Sequence, residues 1–76
     1  MAMNAKTFRH TLRSIDQLQE AIDALKTLQE INGHDQARLF AQDNAELMST
    51  MLFALEGRKL TLANDANLAE LVGVTN

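Results

Sequence analysis

The residues with chemistry to offer are few, and they lie in lines. Asp16, Glu20 and Asp23 fall four and three residues apart, a spacing that sets three carboxylates on one ridge of a helix. Such a ridge can meet a basic target or imitate a row of phosphates. It is not free, because like charges one turn apart repel by roughly 0.2–0.5 kcal/mol per pair. Arg13 and Lys26, at the ends of the ridge, neutralise part of it. Lys6, Arg9 and Arg13, together with His10, share a face opposite Phe8, Leu12 and Ile15. A basic amphipathic segment of that kind fits an acidic partner or a membrane surface. These six residues, Asp16, Glu20, Asp23, Lys6, Arg9 and Arg13, are the candidate contacts for a protein partner.

Nothing comparable points to catalysis or metal binding. His10 and His34 are 24 residues apart and neither has a ligand spacing beside it, whereas metal sites need three or four ligands in fixed geometry. The absence of cysteine excludes disulfides and thiolate ligands. Ser14, Ser49 and the threonines have no adjacent histidine to act as base. Ser49 and Thr50 lie inside an apolar run, where their hydroxyls are expected to bond back to the preceding turn. Asp43 and Glu46, one turn apart, are too ordinary a pair to argue from. The three glycines are scattered and form no phosphate loop. The chain therefore reads as a non-enzyme that needs no cofactor.

The elements that position these residues follow from apolar spacing. Phe8, Leu12, Ile15, Leu18, Ile22, Leu25 and Leu28 recur at three- and four-residue steps, a helical period. They predict one helix over about residues 5–31, with Asn4 or Thr7 as its cap. Ser14 with Gln17 offers an alternative capping box that would divide it. Asn32-Gly33 ends the helix, since glycine takes the left-handed conformation after a C-cap without a Cβ clash. Asp35 then caps a second helix, and residues 32–35 form the turn. So short a connection makes the two helices antiparallel neighbours. The second helix is expected over about 36–56, with Ala37, Phe40, Ala41, Leu47, Met48, Met51, Leu52 and Leu55 as its stripe. Gly57 is the expected stop, with Arg58 and Lys59 just past the negative helix end. A short third helix is expected over about 62–72, capped by Thr61 or Asn64 and ended by Gly73.

The second helix carries no charge from Leu47 to Leu55, and Phe53 and Ala54 sit off its main stripe. A helix apolar on nearly every side is buried on nearly every side. One neighbouring helix covers one face. The rest is expected to be covered either by the third helix folding back, with Leu60, Leu62, Leu68, Leu71 and Val72 as a lid, or by a second copy of the chain. A chain of 76 residues buries little core alone, which favours the second copy. The expected architecture is all-α: an antiparallel hairpin plus a short third helix, forming a homodimeric helical bundle. Phe40, Leu47, Met48, Met51, Leu52 and Leu55 are the candidate self-association residues.

The last residues, Leu68-Ala69-Glu70-Leu71-Val72-Gly73-Val74-Thr75, resemble the start of a helix-turn-helix. The resemblance implies that Ala69 is the small residue where two helices touch, that Gly73 is a left-handed turn, that Val74 follows it into the core, and that Thr75 caps a recognition helix. It spans eight residues and stops before the helix that would read bases. A net charge of −3 disfavours a phosphate partner. That charge is uneven: the first thirteen residues carry +3 and the other 63 carry −6. No apolar run approaches the ~20 residues of a membrane span, and the N-terminus lacks the apolar stretch of a secretory signal. Together with the missing cysteines, this points to the cytoplasm. The function expected is that of a small interaction protein: a dimeric inhibitor, adaptor or regulator of another protein. The alternative is a nucleic-acid-associated regulator.

Overall fold

The structure, a computed structural model, describes residues 3–32 and 42–75, and the side chains of residues 42–44 fall outside that description. Two long helices, α1 (Ala5–Asn32) and α2 (Gln42–Val72), lie side by side, with a two-residue strand before the first and another after the second: β1 (Met3–Asn4) and β2 (Val74–Thr75). Asn32, expected in the turn, is the last residue of α1. Gly33, His34 and Asp35, the expected start of the second helix at residue 36, and Ala37, Phe40 and Ala41 lie outside the described residues.

The helices are antiparallel. Gln29 reaches Ser49, Lys26 reaches Glu56, Gln19 reaches Lys59, and Met3 pairs with Val74, so the α2 number climbs as the α1 number falls. The result is a rod with extents of 53 × 15 × 14 Å.

The N-terminus of α1 is fixed by Asn4, whose side-chain oxygen accepts from the Thr7 amide at 2.8 Å, as an N-cap should. The helix then runs unbroken past Ser14. Its buried and half-buried residues include Phe8, Thr11, Ile15, Leu18, Ile22, Leu25, Gln29 and Asn32, in alternating steps of three and four. On α2 the same alternation runs Ala45, Met48, Leu52, Leu55, Lys59, Leu62, Ala66 and Ala69. A strict 3-4 alternation is the seam of an antiparallel coiled coil. It explains why Thr11 and Gln29 take seam positions while the adjacent Leu12 and Leu28 are exposed. The Thr11 hydroxyl is satisfied there, donating to the Thr7 carbonyl at 2.9 Å.

The expected third helix is absent as a separate element. Residues 62–72 are the second half of α2, which crosses Gly57 without a break. Gly57 is not in the left-handed region, unlike Gly73, and it keeps its place in the turn: the Thr61 hydroxyl donates to the Gly57 carbonyl at 3.1 Å. Thr61 is thus an interior helical residue and not a cap, and Arg58 and Lys59 sit within the helix and not past its end. The physical reason is length. An α1 of 28 residues spans about 42 Å, and a mate ending at residue 56 would leave its first half without a neighbour. Packing along the whole of α1 outweighs the ~1 kcal/mol that an interior glycine costs a helix.

Gly73 does end α2, with φ of 99° and its amide donating to the Ala69 carbonyl at 2.8 Å, the left-handed cap that glycine permits. The chain turns there, and β2 pairs in parallel with β1, Met3 with Val74 and Asn4 with Thr75. Two-residue strands have no legible period, which is why the sequence does not announce them.

Candidate functional site

The core between the helices is thin. Ile22, Met48, Ala66, Ala69 and Thr11 are the buried residues, and no large side chain is completely enclosed. Lys59 is the reason at mid-length, because it occupies a seam position that an apolar residue would fill. It extends across the seam and donates to the Gln19 side-chain oxygen. Gln19 passes the polarity on, donating through Nε2 to Asp23 at 2.8 Å. Alongside, Lys26 and Glu56 form an ion pair at 3.6 Å; Lys26 is thus turned toward α2 and away from the acidic ridge. These groups line a groove of about 470 Å³ with Ile22, Leu60 and Ala63. Its two lysines are already matched, Lys26 by Glu56 and Lys59 by Gln19, which leaves the groove little to recognise a ligand with. Among the described residues no group of three acidic, histidine or cysteine side chains is placed to hold a metal.

The outward face of α2 offers more. Positions turned away from α1 between residues 47 and 71 carry no charge: Leu47, Phe53, Ala54, Gly57, Leu68 and Leu71, joined by Thr50, Thr61, Asn64 and Asn67, with Leu60 at the edge where the face meets the groove. All of them are exposed, Phe53 at 80% and Leu71 at 82%. Every charge in that stretch, Glu56, Arg58, Lys59, Asp65 and Glu70, lies on the seam or its flanks. The helix therefore has two apolar sides, one against α1 and one against nothing. Ser49 and Thr50, as their place in the apolar run implies, bond back to Ala45 at 3.3 Å and Glu46 at 3.2 Å. Ser49 also accepts from Gln29 at 3.0 Å, which ties the two helices together.

The structure divides the candidate self-association residues. Met48 is buried and Leu52 and Leu55 are half-buried toward α1, whereas Leu47 and Met51 are exposed; Phe40 lies outside the described residues. The lid residues do not fold back. Leu60, Leu68, Leu71 and Val72 are exposed, and only Leu62 turns to α1. Phe53 and the outward leucines beyond Gly57 are exposed apolar residues that the apolar stripe leaves out of the candidate self-association set. The signal that finds them is where the charges of α2 are missing.

Comparison with protein-family models, curated proteins and solved structures found no match.

The third surface is the outer edge of α1. Lys6, Arg9, Arg13, Asp16, Glu20 and Asp23 are all exposed and fall at steps of three and four, so they share one ridge on the side away from α2. None of Lys6, Arg9, Arg13, Asp16 or Glu20 makes an ion pair within the described residues. Lys6 stands in the first turn of α1 and Glu30 in the last. Each opposes the helix dipole, which favours acids at the start and bases at the end. At the other helix, Ala69 is 1% exposed, a small residue at a helix contact as the helix-turn-helix resemblance implies, but its neighbour is α1. Val74 and Thr75 continue as strand and not as helix. No helix of the described residues is long and apolar enough to cross a membrane.

Proposed function

We propose that this protein is a non-enzymatic interaction module, a homodimer held by the outward face of α2, that acts as an inhibitor, adaptor or regulator by presenting the charged edge of α1 to another protein. The supporting observation is the uncharged outward side of α2 with Leu47, Phe53, Leu60, Leu68 and Leu71 exposed on it. Contiguous apolar patches of this kind mark interfaces, and burying each such side chain stabilises an assembly by roughly 1.5–3 kcal/mol. A second copy is the occupant because it brings a matching uncharged apolar face: a two-fold contact sets this face against itself. Gly57 lies on that face, and nothing lies within 4 Å of where its Cβ would be. Two α2 helices crossing antiparallel at Gly57 can approach closely there, with Phe53 and Leu60 on either side of the crossing. Such an arrangement is a four-helix bundle with the α2 pair inside and the α1 pair outside.

Sedimentation equilibrium at micromolar concentration in about 500 mM salt, where exposed charges are screened, tests this. The expected mass is twice that of the chain, falling to one chain in Phe53→Glu and Leu60→Glu. Both side chains are exposed in the hairpin, so neither substitution opens its core, and circular dichroism should show the helices retained. A wild-type mass of one chain at every concentration would sink the dimer.

A further inference from the structure

The charged ridge of α1 has an order that its exposure alone does not require. Read along the helix, it is Lys6, Arg9, Arg13, then Asp16, Glu20, Asp23: three bases followed by three acids. The order is also mirrored in spacing. Arg13 and Asp16, Arg9 and Glu20, and Lys6 and Asp23 are all centred on one point, between Ser14 and Ile15. A ridge with that pattern is complementary to itself when turned end for end. We infer that the outer edge of α1 is a second self-association surface, on which α1 of another copy lies antiparallel, with Arg13 against Asp16, Arg9 against Glu20 and Lys6 against Asp23, each pair formed twice.

Several observations support the occupant. A two-fold interface requires that where one residue meets a second, the second also meets the first, and the ridge meets that requirement at all six positions. Neighbours along the ridge, Arg9 with Arg13 and Asp16 with Glu20, repel one another within a single helix; a second copy sets an opposite charge beside each and offsets that repulsion. Among the described residues the six ridge side chains make no ion pair, and Lys26, the next base along α1, is paired with Glu56. Only Asp23 is engaged, accepting one hydrogen bond from Gln19, and its carboxylate keeps room for more. Antiparallel helices at the usual 8–10 Å separation bring such side chains within reach.

The inference adds to the proposed dimer without depending on it. The α1 ridge and the outward face of α2 are opposite edges of the hairpin, so the two contacts do not compete, and using both joins dimers into larger particles. It also sets a condition on the function: a target protein bound along this ridge must displace the second copy.

Sedimentation velocity on the full chain, at about 50 and 500 mM salt, tests the ridge, because the screening length for exposed charges falls from roughly 14 Å to roughly 4 Å over that range. Two triple variants accompany the wild type. One makes the ridge acidic (Lys6→Glu, Arg9→Glu, Arg13→Glu), and the other makes it basic (Asp16→Lys, Glu20→Lys, Asp23→Lys). The expected result is a wild-type mass above that of the α2 dimer at low salt, which falls to the dimer as salt rises. Each variant alone stays at the smaller mass at low salt, and a one-to-one mixture of the two recovers the larger. Failure of the α2 dimer would change the step from larger particles falling to a dimer into a dimer falling to one chain, and the salt dependence would remain. A wild-type mass unaffected by salt, or a mixture that does not associate, overturns the inference.

Discussion

Single residues settle the ends and the weak points of this hairpin. Asn4 was legible as a cap because its side chain is the right length to satisfy an amide three residues on, and it does so. Gly73 was legible as a stop for an equally local reason. Gly57 was not, because a glycine in sequence looks the same whether its backbone will turn left or continue, and only tertiary packing decides. The difference has a measurable consequence at Gly73, where φ is 99°. A Cβ in the left-handed region is strained by about 1–2 kcal/mol, and here the same turn delivers Val74 and Thr75 to β1. Gly73→Ala should destabilise the protein by that amount in urea unfolding, although open space surrounds the position. An unchanged midpoint would show that the turn is not strained.

At the scale of elements, the sequence conveyed the antiparallel pair of helices, and the first of them nearly to the residue. Ile15, Leu18, Ile22 and Leu25 recur at a spacing that only a helix keeps on one side. It conveyed the second helix less well, because α2 is apolar on two sides and a stripe search finds no single direction. The seam choices were hidden too. Thr11 displaces Leu12, and Lys59 occupies a seam position, because a 3-4 alternation over a long contact overrides the preference of any one residue. Gly57 is where this can be tested. Its backbone is helical and a Cβ there meets nothing within 4 Å, so in the isolated hairpin Gly57→Ala should raise stability by about 0.5–1 kcal/mol. Measured at a concentration low enough to keep the chain monomeric, a loss of stability would mean that α2 does bend at Gly57.

The whole molecule is a rod with little inside it. Ile22 and Ala69 are nearly enclosed, but Phe53, Leu60 and Leu71 face outward, so much of the apolar surface is left for an assembly to bury. Stability should then depend on concentration, since a partner that binds only the folded chain stabilises it by mass action. For a dimer that unfolds to two chains, a hundred-fold rise in concentration is worth about 1.4 kcal/mol per chain, half of RT ln 100. In a chain of this size that shifts the thermal midpoint upward by roughly 4–8 °C per kcal/mol. Thermal melts followed by circular dichroism from about 1 to 100 µM should therefore move to higher temperature with concentration in the wild type. In Phe53→Glu they should coincide with one another, at or below the wild type's low-concentration midpoint, because the variant loses the dimer's contribution while the exposed Phe53 contributes nothing to the hairpin's own core. The melts belong in about 500 mM salt, where the ridge of α1 is screened and only the α2 contact is read. Wild-type curves that superimpose across that range would mean that the outward face of α2 gains no stability from a second copy.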